Sequence, residues 1–125
     1  MPRILEQKKK AEELISGDII SAGLESKDEL CMKVVKKFTE ILAVEVGNMA
    51  LKTLPYGGIY LVGGVTGAIL NYLETDNFFL HTVHQKGRLS SVVRRIPIYA
   101  IKPEVELGIL GAEECAFRNL GNFGI

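Results

Sequence analysis

Apolar residues recur at three- and four-residue spacing along a stretch that begins near Ser26. They are Leu30, Val34, Phe38, Ile41, Leu42, Val46 and Met49, and charged residues occupy the positions between them (Lys33, Lys36, Lys37 and Glu40). This spacing is typical of an amphipathic helix. Ser26 and Glu29 match a capping box, and Pro55 stands beyond the last periodic residue. The pattern therefore predicts one long helix over Ser26 to Lys52.

A short run of β-branched and aromatic residues, Ile59 to Val62, comes directly after a segment of turn-forming residues. It predicts a strand covered on both faces, with Tyr60 in the core. Gly63 and Gly64 end the strand, and helical spacing resumes from Val65 to Leu73. The unit is predicted to be strand, diglycine turn, helix.

The other segments predict shorter elements. They are an amphipathic helix from Ile4 to Ile15 stopped by Gly17, helical pieces over Asn77–Gly87 and Leu89–Arg94, a strand over Ile96–Ile101 with Pro97 near its start, and a final helix from Leu107 to Leu120 ending at Gly121. Strand, helix, strand order predicts adjacent parallel strands with a right-handed crossover. The fold class expected is α/β, one parallel strand pair covered by helices.

Composition narrows the possible functions. The 125 residues suit a single domain over 1–125, and 15 basic residues balance 15 acidic ones, so no basic field favours nucleic acid. The longest apolar stretch, Ile59 to Leu70, is too short for a membrane span, and no signal core follows the N-terminal lysines. Cys31 and Cys115 lie far apart, which favours two buried thiols and a cytoplasmic location.

The sharpest candidate site is the turn formed by Gly63, Gly64, Val65 and Thr66. Glycines at a strand-to-helix turn let a ligand approach the backbone, and the free amides of a helix N-terminus favour an anion. The glycines do not match the dinucleotide or phosphate-loop patterns. A tight turn without any ligand is the alternative.

Other polar residues are weaker candidates. His81 and His84, three apart on a predicted helix, could share a metal, although no further ligand stands at matching spacing and structural histidines are favoured. Asp76, Glu104 and Glu106 are possible general bases, but solvated loop carboxylates are commoner. Lys86 and Arg88 flank a glycine and could contact phosphate, with a capping or surface role favoured over it.

Five short blocks follow one another along the chain: Gly47-Asn48-Met49-Ala50-Leu51, Gly57 to Val65, Lys86-Gly87-Arg88-Leu89, Ile96-Pro97-Ile98-Tyr99 and Gly108 to Ala112. Their order and spacing resemble the C-terminal third of the bacterial and protist glucokinases, which belong to the hexokinase, actin and Hsp70 superfamily. The second is similar to that family's adenosine-binding motif. One departure is Glu106-Leu107, where the family commonly has a small polar residue and proline.

The resemblance implies a partial actin-like ATPase (ribonuclease H-like) lobe that serves phosphorylation of glucose by ATP with Mg²⁺. It implies Gly63, Gly64, Val65 and Thr66 as cofactor-binding residues, and glucose and ATP as substrates of the full-length enzyme. The family's Asp-x-Gly-Gly-Thr phosphate loop and its Asn-Asp pair with the catalytic base are not found in this sequence. No catalytic residue is therefore assigned, and the chain alone is expected to be inactive.

Three interpretations stay open at this point. The chain could be the adenosine-binding portion of a glucokinase, a non-catalytic actin-like module that binds nucleotide or a partner, or an unrelated small α/β domain. Under the first interpretation an N-terminal lobe is missing, and apolar helix surface that this lobe would bury is exposed. We then expect a homo-oligomer or a marginally stable chain, with the final helix or the Ser26 to Lys52 helix forming the contact.

Overall fold

The computed structural model describes residues 15–75, 77–102 and 104–122. The elements, in chain order, are α1 (Ser16–Leu24), α2 (Glu29–Thr53), β1 (Ile59–Leu61), α3 (Gly64–Thr75), α4 (Phe78–His84), a 3-10 turn (Gly87–Leu89), α5 (Ser90–Val93), β2 (Ile98–Ala100) and α6 (Leu107–Asn122). The α/β class is confirmed, although helices predominate.

The two strands pair in parallel, as predicted. Ile59 lies opposite Ile98 and Leu61 opposite Ala100. The pairing continues past β2, because the Ile101 amide donates to the Leu61 carbonyl at 2.9 Å. The carboxyl ends of both strands therefore lie at the same edge of the sheet.

The hydrophobic core covers one face of this sheet. Its buried members are Ala43, Val46 and Ala50 of α2, Leu61 of β1, Phe79 and Val83 of α4, Val93 of α5, and Ile96. On the other face, the rings of Tyr60 and Tyr99 stack with centroids 5.1 Å apart. Tyr60 is 58% exposed. The prediction that β1 is covered on both faces with Tyr60 in the core is wrong, because the described helices leave this face open.

The long helix is confirmed, but its apolar stripe is buried only in part: Val46 is buried and Leu42 packs against the core. Leu30, Val34, Phe38 and Ile41 are 44% to 60% exposed. The residues it buries are small or β-branched: Cys31, Val35, Thr39, Ala43, Val46, Gly47 and Ala50. The reason is close packing, since a Cβ at Gly23 would lie 2.6 Å from the Cys31 carbonyl oxygen. Helices that approach so closely exclude large side chains from the contact.

The start of α2 also differs from the prediction. Asp28, not Ser26, is the N-cap residue, and its Oδ1 accepts a hydrogen bond from the Cys31 amide at 2.9 Å. Ser26 instead has a φ of +54° in the turn that joins α1 to α2. The capping-box interpretation of Ser26 and Glu29 is therefore wrong by two residues.

One glycine and one cysteine behave differently from expectation. Gly121 lies inside α6 and does not stop that helix, and Gly17 lies inside α1. Of the predicted helix over Ile4–Ile15, residues 4–14 lie outside the described residues. Cys31 is buried but Cys115 is exposed. Cys115 lies on α6, where every residue from Leu107 to Gly121 is exposed.

Candidate functional site

The strand, diglycine turn and helix are present as predicted. β1 ends at Leu61 and α3 begins at Gly64. Gly63 has a φ of +104°, a backbone conformation that side chains strongly disfavour. Its carbonyl accepts the first hydrogen bond of the helix, from the Gly67 amide at 3.0 Å. Glycine is therefore required at 63 by the backbone itself.

A cavity of about 300 Å³ opens at this turn. Its lining residues are Val62, Gly63, Gly64, Ile101, Lys102, Val105 and Leu107. One wall follows β1 and the other follows β2, so the cavity lies at the carboxyl ends of both parallel strands. Ligands bind at this edge in open α/β sheets.

The cavity lining combines apolar surface with positive charge. Val62, Ile101, Val105 and Leu107 supply apolar surface, while Lys102 brings a positive charge. A Cβ at either Gly63 or Gly64 would meet no atom within 4 Å, so the glycines leave open space above the backbone. The first amides of the 12-residue α3 lack helical partners, and they carry the positive end of its dipole. This arrangement suits a ligand with an apolar planar part and an anionic part.

The four predicted site residues do not share one environment. Gly63 and Gly64 line the cavity. Val65 is 43% exposed on α3 and is not among the lining residues. Thr66 is buried, and its hydroxyl donates to the Val62 carbonyl at 3.3 Å. The Thr66 hydroxyl therefore bridges the end of β1 to α3.

Sequence reasoning missed the second wall of the cavity. Ile101 and Lys102 could have been found, because parallel pairing of the strands puts the residues after β2 beside those after β1. Val105 and Leu107 come from the turn that leads into α6. There the Glu106 carbonyl accepts hydrogen bonds from the Ile109 and Leu110 amides at 3.1 Å. The Glu106-Leu107 departure thus lies where α6 begins.

The weaker candidates lie elsewhere. The Lys86 ammonium is 2.6 Å from Asn48 Oδ1 and 3.3 Å from the Val44 carbonyl, so it ties the loop after α4 to α2. Arg88 is exposed on the 3-10 turn, and Glu104 and Glu106 are exposed. Asp76 lies outside the described residues. His81 and His84 line a second cavity. None of its lining residues lines the first cavity.

Two further features of the described residues bear on other functions. Among them, no set of three or more histidine, cysteine or carboxylate side chains is placed to hold a metal ion. No helix in the same part of the chain combines the length and apolar character required to cross a membrane.

The chain is similar to known proteins over most of its length. The family model described as glucokinase matches residues 3–119. A glucokinase of Nostoc punctiforme is 41% identical over 99 residues, which are 78% of this chain and 28% of that protein. A Synechocystis glucokinase is 33% identical over 105 residues, covering 84% of this chain and 29% of its own.

A third relative has a lower identity but matches more of this chain. A glucokinase of Neisseria meningitidis serogroup C is 31% identical over 116 residues, 93% of this chain and 35% of that protein. The chain thus spans about a third or less of the length of these relatives. No solved structure shows a significant match to it.

Proposed function

We propose, because this chain belongs to the glucokinase family, that it forms the adenosine-binding part of an enzyme that phosphorylates glucose with ATP. The supporting observation is the cavity at the carboxyl ends of β1 and β2, with Gly63 and Gly64 at the start of α3. The two strands and their helices would then belong to an actin-like ATPase lobe. As part of such an enzyme the chain would work in the cytoplasm.

The residues around the cavity fit a nucleotide. The apolar side chains of Val62, Ile101 and Leu107 offer a surface for an adenine ring, whose faces are apolar. The open backbone of Gly64 and the ammonium of Lys102 offer donors to a ribose or phosphate oxygen. Thr66 would act indirectly, by holding the turn that presents these donors.

Mg²⁺ does not fit the described residues in the same way. The cation prefers oxygen ligands, commonly one or two carboxylates together with substrate phosphates. The cavity lining has no carboxylate. ATP would bring its Mg²⁺ bound to phosphate, and any protein ligands of the cation would lie outside this cavity.

Phosphoryl transfer needs the sugar hydroxyl, a base, the metal and the terminal phosphate held together. This sequence has neither the Asp-x-Gly-Gly-Thr loop nor the Asn-Asp pair of the family. We therefore expect the 125-residue chain to bind nucleotide weakly and to produce no glucose 6-phosphate by itself. The other portion of the family enzyme would be its partner.

A second candidate function is a non-catalytic module that binds a partner. The exposure of α6 along its described length favours this alternative, because Ile109 and Phe117 are each 64% exposed. Large apolar side chains grouped on one helix commonly mark an interaction surface. A partner-binding module would not require the glycine cavity to bind nucleotide.

The test is nucleotide binding by the 125-residue chain and a Gly64→Leu variant, measured by calorimetry with ATP and MgCl₂. A Cβ at Gly64 meets no protein atom within 4 Å and Gly64 lines the cavity, so we expect leucine there to leave the fold intact and to lower the affinity at least fivefold. Gly111→Leu on α6 is the matched control, since its Cβ also meets open space outside the cavity. Equal affinity in Gly64→Leu and the parent would contradict the site.

Activity is measured on the same samples. Chain mixed with glucose, ATP and Mg²⁺ should give glucose 6-phosphate no faster than a blank without protein. Robust turnover would show that the chain carries a catalytic base that the family motifs do not identify. Turnover with no effect of Gly64→Leu would place the active site elsewhere.

A further inference from the structure

A second cavity, of about 420 Å³, lies where α4 ends and α5 follows. Its lining residues are His81, His84, Gln85, Gly87, Ser90 and Arg94. None of them lines the glycine cavity. The sequence contains two histidines, and both are here. The proposed nucleotide site therefore gives this group of side chains no role.

The charges of the lining are of one sign. Two imidazoles and one guanidinium face the cavity, and none of its lining residues is a carboxylate. The pKa of His84 is lowered, first by burial and then by the positive fields of Arg94 and His81. These groups thus repel one another when protonated, and the lining itself offers no negative charge to balance them.

Hydrogen bonds hold part of the lining in position. The Gln85 side-chain amide lies 3.0 Å from His81 Nε2. The Ser90 hydroxyl oxygen accepts from the Lys86 amide at 3.1 Å, which leaves the hydroxyl hydrogen able to donate. Arg94 adds a planar fork of donors. The cavity therefore offers several donors from two helices without a large rearrangement.

A metal ion is disfavoured at the same place. Metal ligation requires neutral imidazoles and commonly a further thiolate or carboxylate ligand. The lining has two histidines without such a ligand, and the guanidinium of Arg94 would repel a cation. An anion is favoured instead, because the Arg94 guanidinium and a protonated imidazole would both attract it and donate hydrogen bonds to it.

We propose that His81, His84, Ser90 and Arg94 form a binding site for a phosphate-bearing anion, separate from the glycine cavity. Phosphate suits the site because its oxygens can accept from a guanidinium fork and from imidazole N–H groups together. The volume exceeds that of a phosphate group, so a small organic phosphate monoester can also enter. Inorganic phosphate and glycerol phosphate are the two probes that distinguish these sources.

The test follows the two histidine Hε1 signals by NMR in the 125-residue chain, at constant pH and ionic strength. Phosphate or glycerol phosphate should shift both signals in a saturable manner, whereas chloride should not. Saturation by inorganic phosphate alone would identify the free anion as the ligand. Tighter saturation by glycerol phosphate would identify a monoester. Shifts that do not saturate, or that chloride reproduces, would overturn the site.

Substitutions test whether these side chains bind the phosphate. Arg94→Gln should weaken phosphate binding at least tenfold, and Arg118→Gln, which removes an exposed guanidinium on α6, should leave it unchanged. If Arg94→Gln does not fold by circular dichroism, His81→Gln replaces it, with the His84 signal as readout and a severalfold loss expected. Unchanged binding in the folded variant would refute the proposal. Gly64→Leu should bind phosphate normally, so this test is independent of the nucleotide site.

Discussion

At the residue scale, Asp28 has two roles that can be separated. Its carboxylate caps α2 through the Cys31 amide. Burial is the largest cause that raises the pKa of the Cys31 thiol, and Asp28 raises it further through a side-chain hydrogen bond and then through its negative charge. The capping bond and the hydrogen bond to the thiol need only an acceptor oxygen, whereas the remaining effect on the thiol pKa depends on negative charge. Asparagine retains the first and removes the second.

We predict that Asp28→Ala lowers the free energy of unfolding by about 1 kcal/mol, while Asp28→Asn lowers it much less. In Asp28→Asn the pKa of Cys31 should move part of the way back towards its ordinary value. The measurements are chemical denaturation and the pH midpoint of alkylation at each cysteine by mass spectrometry. Exposed Cys115 is the internal reference. Equal stability of the parent and Asp28→Ala would contradict the capping role.

The raised pKa of Cys31 also has a defined effect on stability. A thiol whose pKa is higher in the folded state favours folding fully below its unfolded value, near 9.0. This contribution is lost as the pH rises through the folded-state value. The stabilisation belongs to the protonated thiol, so it is present at neutral pH.

At the element scale, the contact between α2 and α4 depends on Gly47. A Cβ there would lie 2.6 Å from the Val83 carbonyl oxygen and 2.5 Å from Lys86 Cε. Lys86 could move, but the Val83 carbonyl belongs to the backbone of α4. The same approach brings the Lys86 ammonium to Asn48 and to the Val44 carbonyl. Gly47 therefore permits both the helix packing and the lysine contact.

Gly47→Ala should reduce the free energy of unfolding by about 1–3 kcal/mol, because α4 must shift away from α2. Gly17→Ala in α1 is the control, since a Cβ at Gly17 meets nothing within 4 Å. Alanine there should be neutral or stabilising by up to about 1 kcal/mol. Thermal and urea unfolding measure both. A Gly47→Ala chain as stable as Gly17→Ala would show that the interface accommodates the methyl group.

At the scale of the whole molecule, two helices leave large apolar surface exposed. On α6, Leu107, Ile109, Leu110, Phe117 and Leu120 are 40% to 64% exposed, and on α2 the exposed set includes Leu30, Val34, Phe38 and Ile41. At about 25 cal/mol per Å², a few hundred Å² of such surface is worth several kcal/mol, comparable with the stability of a small domain. Covering this surface would therefore be strongly favourable.

We predict that the isolated chain self-associates or melts at low temperature, with α6 or α2 as the contact. Sedimentation over a range of concentrations should show species larger than a monomer. Phe117→Glu should disperse them if α6 forms the contact, and Ile41→Glu if α2 does. Leu89→Glu, at an exposed position on the 3-10 turn, should change nothing. A sharply melting monomer would contradict the prediction and favour a self-sufficient domain.

The order of the elements was predictable because it depends on local features. The periodicity from Leu30 to Met49 favours a helix, and the β-branched run at Ile59 favours an extended chain. Gly63 marks the turn because its backbone conformation, with a φ of +104°, disfavours side chains. Parallel pairing of β1 with β2 follows from the helices between them, since parallel neighbours need a long connection. Five of the seven lining residues follow from these inferences: Val62, Gly63, Gly64, Ile101 and Lys102.

The remaining features depend on how closely the elements approach. Periodicity places Leu30 and Phe38 on an apolar stripe, but Gly23 and Gly47 bring neighbouring backbones so near that smaller residues are buried instead. Tyr60 and Cys115 are exposed because no described helix covers their sides of the molecule. Val105 and Leu107 complete the cavity because the turn that leads into α6 folds back beside Gly63 and Gly64, which are far away in the sequence. Burial and convergence of this kind are properties of packed surfaces in three dimensions, and local sequence patterns do not encode them.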